Sequence, residues 1–217
     1  MIDGPIANAE GLVSRFKALL KDMGADSEQI EPHILLLRAD AECGPCDGLL
    51  TVGHLVTDEE EFGEAHTVLT GNLGFRLPLD EIAPDRLPDL YELMAQMNPE
   101  IEVGAFEIDP VEHDLRYRLQ LVLSVGPVVS DALLKACLFT SVEFIDQHFS
   151  AFAQVVAGDN APHALGDYLL EMIDGEVVEE DTVAQIANLL REASVRYQRA
   201  GDNARIERVK ESLQSLA

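Results

Sequence analysis

The chain has 217 residues, 47% hydrophobic and 25% charged, enough for one sizeable core or a core plus a small appendage. Forty acidic residues against fifteen basic ones give a net charge of −25, a field that repels phosphate backbones and attracts basic protein surfaces. No run approaches the roughly 18–20 apolar residues of a membrane span, the start lacks the features of a signal peptide, and three cysteines are too few for a secreted disulfide framework, so a cytoplasmic protein is expected.

The acidity is uneven: residues 1–190 hold 36 acids and 9 bases, residues 191–217 hold 4 and 6. In chain order, Leu12, Phe16, Leu19, Leu20 and Met23 fall at helical spacing between about Ile6 and Met23, with Gly24 as the stop. Ile34–Leu37 and Gly48–Val56 are apolar runs that read as strands, and 66–77 reads as strand broken at Gly71-Asn72. A helix is predicted over 87–97. Val103–Ile108 and Leu115–Leu123 form a strand pair turned at Asp109-Pro110. In the second strand Leu115, Tyr117, Leu119, Leu121 and Leu123 alternate with polar residues, which puts the apolar set on one sheet face.

A long helix follows from about Pro127 to Val156, with Gly158 past its end. After Gly158–Pro162 the pattern is helical to the C-terminus. The expected architecture is α+β, an antiparallel sheet of about five strands in the order α-β-β-β-α-β-β-α, over residues 1–160. An all-α extension is expected over 161–217.

One stretch carries catalytic letters. Cys43-Gly44-Pro45-Cys46 spells the thioredoxin motif, but that chemistry needs the first cysteine at a helix N-terminus, where the thiol pKa falls. Here the motif lies between strand-like runs, Gly and Pro suit a hairpin turn, and Asp40, Glu42 and Asp47 disfavour a thiolate. A plain turn is the expectation, and a thiol-redox role the lesser alternative. Zinc would need two more ligands, for which His54 and His66 are the nearest in the pattern, while Cys137 suits a small buried hydrophobe. Asp58, Glu59, Glu60, Glu61 and Glu64 lack the ligand spacing and glycine of a calcium loop and read as a solvated connection. There is no phosphate-binding glycine motif and no nucleophile elbow, and the histidines, His113, His148 and His163 among them, show no acid–base partner in the linear pattern. No catalytic residue, cofactor site or metal site is therefore expected.

Three segments carry a resemblance: "MNPEIEVGAFEID", the strand "LRYRLQLVLS" and the helix ending "FIDQHFSAFAQVVAG". From about Leu12 to Gly158 the chain resembles the YbjN family, whose fold is similar to type III secretion chaperones, with Asn98, Asp146 and Gly158 at matching positions. The resemblance implies a compact α+β module, often dimeric, that acts through protein contacts. It implies a dimer contact on helix 87–97, where Leu87, Leu90, Tyr91, Met94 and Met97 exceed what one sheet face needs.

The functional expectation is a non-enzymatic, chaperone-like adaptor or regulatory protein. Its partner would be a protein with a basic surface or segment, a nucleic-acid-binding protein being one option, met at the acidic residues Asp58, Glu59, Glu60, Glu61 and Glu64. A ligand-sensing regulatory domain is the alternative.

Overall fold

A computed structural model of the protein describes residues 4–5, 8–56, 67–124, 128–172 and 180–216. Their contacts divide into two units: Met1–Pro78 with Ile101–Gln147, and Leu79–Glu100 with His148–Ala217.

The first unit is α+β. Helix α1 (Ala9–Asp22) starts at Asn8, whose side chain accepts from the Gly11 amide at 2.8 Å, and buries Leu12, Val13, Phe16, Leu19 and Leu20. A six-stranded antiparallel sheet follows: β2 (Ser27–Glu31), β3 (Ile34–Ala41), β4 (Gly44–Val56), β5 (Thr67–Arg76), β6 (Ala105–Ile108) and β7 (Leu115–Ser124), in the order β2-β3-β4-β5-β7-β6. The short strands β1 (Gly4–Pro5) and β8 (Val128–Val129) pair separately. Sequence patterning gives about five strands because β2 reads Ser-Glu-Gln-Ile-Glu, a polar edge strand with no buried residue and so no alternation.

Register keeps the apolar residues in phase. Leu35, Leu50, Leu73 and Leu119 form one transverse row, and Leu37, Gly48, Phe75 and Tyr117 form the next. The seven large side chains in these rows are buried, and the alternation read in β7 sets its inner face. Gly48 has a steric task here, since a Cβ would lie 2.7 Å from the Phe75 ring. The break expected at Gly71-Asn72 is absent: both residues continue β5, and a Cβ at Gly71 would meet Leu121 at an ordinary 3.5 Å. Tyr117 packs edge-on to Phe106 at 5.3 Å, stacks on Phe144 at 5.6 Å and donates its hydroxyl to the Val103 carbonyl.

The second unit is helical: α2 (Leu87–Met97), the last part of α3 (Asp131–Ala157), α4 (Ala161–Met172), α5 (Glu180–Ala200) and α6 (Asn203–Ser215). Ile186, Leu190, Ala193 and Tyr197 of α5 pack with Ile206 and Val209 of α6 in one buried cluster. The boundary expected near Asn160 does not coincide with this division. The contacts part within α3, and α2 groups with the C-terminal helices because its apolar face packs on α4.

Candidate functional site

The Cys-Gly-Pro-Cys stretch is a hairpin, displaced from the expected turn. Ala41 pairs with Gly44 and Asp40 with Pro45, so the two-residue turn is Glu42-Cys43, and Gly44-Pro45-Cys46 already belongs to β4. Pro45 is tolerated because β5 pairs with β4 only from Gly48 onward, leaving no ladder bond on that side for the proline to break. Gly44 takes φ 134°, which a side chain would strain.

The turn is held by the first unit's part of α3. The Glu42 and Cys43 amides donate to Asp146 Oδ2 and Oδ1 at 3.0 and 2.9 Å. Both thiols are free, with Cys43 half-buried and Cys46 fully buried. Burial pushes the Cys43 thiol up to about 12, helped by its hydrogen bond with Asp146 and the charges beside it. Burial likewise pushes Cys46 up to about 11, with Asp146 and Asp47 adding to it. Burial raises Cys137 as well. This environment opposes thiolate formation, the reverse of what a redox cysteine requires. Among the described residues no group of three or more His, Cys, Asp or Glu side chains is arranged to hold a metal ion. His66 and the His54 side chain lie outside the described residues.

The three positions of the resemblance have structural tasks. Asn98 is the C-cap of α2, Asp146 anchors the hairpin, and Gly158 turns the chain out of α3 at φ 113°. A Cβ on Gly158 would meet the Arg205 guanidinium at 2.5 Å.

That corner leads to a buried charged cluster in the helical unit. His163, on α4 and fully buried, has Nδ1 3.6 Å from Asp159 Oδ2 and Nε2 3.5 Å from Asp167 Oδ2, contacts longer than hydrogen bonds and therefore electrostatic. Asp159 also pairs with Arg205 at 3.0 Å and Arg208 at 3.2 Å, and accepts from the Tyr197 hydroxyl at 3.4 Å. Burial alone would raise Asp159, but His163, Arg208 and Arg205 outweigh it and hold the carboxyl below its ordinary value. Burial dominates at Asp167 and raises it. Burial also lifts the Tyr197 hydroxyl to about 12. The expectation that His163 lacks an acid–base partner is thus overturned. The spacing of Asp159, His163 and Asp167, four residues apart each time, is the available signal: His163 and Asp167 lie one turn apart on α4, and Asp159 stands just before its first turn. The ion pairs of Asp159 and Asp167 tie α4 to α6 and the Tyr197 hydroxyl adds α5, while His163 Nδ1 and Nε2 make no hydrogen bond among the described residues.

The expected dimer contact is largely occupied within the chain. Leu90, Met94 and Met97 are buried in the helical unit, Leu87 is half-buried, and Tyr91 is 50% exposed. The acidic residues Asp58, Glu59, Glu60, Glu61 and Glu64 lie outside the described residues.

Two of the concave surfaces among the first unit's described residues bear on binding. The open sheet face carries a groove of about 570 Å³ lined by Arg76, Arg116 and Arg118, but each arginine already has a carboxylate within 2.9 Å: Asp114, Asp109 with Glu112, and Glu107. Its arginines are all paired, and its lining holds five carboxylates against three guanidiniums. The other groove, about 270 Å³, lies between the end of α1, β3 and the first unit's part of α3. Leu20, Leu37, Phe75 and Leu138 line it from the core side, while Met23 and Phe139 stand 36% and 60% exposed. Phe139 continues a line of exposed residues on α3 through Ala136 to Leu133. No protein-family model matches the chain, and no curated protein matches its sequence.

Proposed function

We propose that the protein is a non-enzymatic, chaperone-like adaptor or regulatory protein that binds a partner protein with a basic surface or segment. The observation that carries this reading is the exposed apolar line Leu133, Ala136 and Phe139 on α3, beside an apolar groove, in a chain of net charge −25. Exposed apolar side chains grouped beside an apolar groove, unlike ones scattered singly, mark interaction sites. The acidic field supplies long-range attraction, and the apolar line supplies area to bury once the partner arrives. The silenced thiols fit a hairpin that is architectural.

Capture of the tagged chain from its source cell, followed by mass spectrometry of the eluate, tests the reading. A stoichiometric protein rich in Lys and Arg is the expected result. Recovery of the chain alone or with acidic proteins only, at low and moderate salt alike, would contradict it.

A further inference from the structure

The groove between α1, β3 and α3 specifies more than a general affinity for basic proteins. Its inner surface is apolar: Leu37, Phe75 and Leu138 are at most 5% exposed. At about 270 Å³ it falls just below the ~300–1,000 Å³ of small-molecule pockets, a size suited to one bulky side chain.

Its rim is anionic. Asp26 and Asp40 line the mouth with exposed carboxylates, and the C-terminal turn of α1, which also carries Lys21, opens onto it through Met23 and Gly24. Glu143 stands exposed one helical turn beyond Phe139. The cation among the lining residues, Arg38, is 4.0 Å from Asp47 of β4. Lys135 lies one turn from Phe139 in the opposite direction, toward Leu133, so the negative side of the groove is the side of Asp40 and Glu143.

We infer that this groove is the docking site for a partner segment that inserts one bulky apolar side chain, Phe, Leu or Met, and carries Lys or Arg next to it. The inference rests on the partner-binding reading above and names the segment that reading leaves open. The apolar anchor covers Met23 and Phe139 and displaces water from the groove. The flanking bases meet Asp26, Asp40 and Glu143. A second copy of the chain is a poor occupant, because the first unit carries 22 acids against 8 bases and two copies repel.

The test titrates the isotope-labelled full chain with a synthetic peptide carrying one Phe between Lys-Arg pairs, followed by amide NMR. Controls replace the Phe with Ala or the bases with Glu. The expected result is saturable shifts confined to the end of α1, to Ala39–Asp40 and to Leu138–Val142. Affinity should drop about tenfold with the Ala peptide and fall further with the Glu peptide. Phe139→Asp, at an exposed position, and Ala39→Phe, which fills the groove, should each abolish the shifts. The Phe139→Asp chain keeps the test informative if Ala39→Phe does not fold. Equal binding of the Glu peptide would overturn the charge argument. Shifts centred on another surface, such as the open sheet face, would overturn this site while leaving partner binding standing. Concentration-dependent shifts of the same residues without peptide would show a second copy as the occupant and overturn the inference. Absence of any shift at millimolar peptide would also overturn it, and the capture experiment would then decide the broader reading separately.

Discussion

Replacing Asp159 with Asn probes the charged cluster of the helical unit with almost no change in shape. The carboxylate is about 5% exposed and faces Arg205 at 3.0 Å, Arg208 at 3.2 Å and His163 at 3.6 Å. Breaking a fully buried pair by removing one partner costs roughly 3–5 kcal/mol. Arg205 and Arg208 are 28% and 51% exposed, so water takes over part of their solvation, and Arg205 keeps Asp202 at 3.3 Å. A loss of about 2 kcal/mol is therefore expected.

The sign with pH follows from the lowered folded pKa of Asp159. Its stabilisation is present above the unfolded carboxyl value of about 3.9 and is lost as pH falls through the lower folded value. The gap between wild type and Asp159→Asn should thus be full at neutral pH and close in strong acid. Asp167, raised by burial, acts in the opposite sense: its protonated form is the favoured one, and stability is lost as pH rises through its folded value. That contribution is largely shared by both proteins. Urea unfolding followed by hydrogen exchange is the assay. Amides of α4, α5 and α6 should lose protection while those of β4, β5 and β7 keep theirs. A change under about 0.5 kcal/mol, or equal loss in sheet and helices, would refute the cluster as a local tie.

The two cysteines should separate under substitution: Cys43→Ser near-neutral, Cys46→Ser costing about 1–2 kcal/mol in urea because a hydroxyl replaces a buried thiol. Both native thiols should resist alkylation at mildly alkaline pH, and rapid labelling would contradict their raised pKa values. Asp146→Asn should cost about 1–2 kcal/mol by weakening the hold on the Glu42 and Cys43 amides, and should lower the Cys43 pKa, read as faster alkylation. Gly48→Ala should cost about 1–3 kcal/mol, because Phe75 must leave its rotamer to admit the methyl group, and a thermal melt reports it.

The parts of the fold legible in the sequence are those whose pattern is local. Leu115, Tyr117, Leu119 and Leu121 announce their sheet face by alternation, and Leu87 to Met97 their helix by spacing. Strand β2 is illegible because an edge strand needs no apolar face. In the hairpin, Gly44 and Pro45 look like the turn by composition, yet Asp146, 103 residues along the chain from Cys43, fixes the turn two residues earlier. Apolar excess on α2 was visible, but whether α4 or a second chain covers it depends on tertiary placement. The same holds for His163. Its carboxylates sit four residues away on either side, while Arg205 and Arg208, which set the charge of the cluster, come from α6. The groove is the extreme case, since its residues come from α1, β3, β5 and α3.

Recruitment of a basic partner by this acidic protein is measured by association kinetics with the captured partner across a salt series. Exposed charges are screened beyond roughly 8 Å at physiological ionic strength, so the association rate should fall steeply with added salt while dissociation changes much less. Neutralising Asp58, Glu59, Glu60, Glu61 and Glu64 together should reproduce part of that fall at low salt with the protein still folded. Association rates indifferent both to salt and to those substitutions would rule out electrostatic recruitment and leave the acidity a matter of solubility alone.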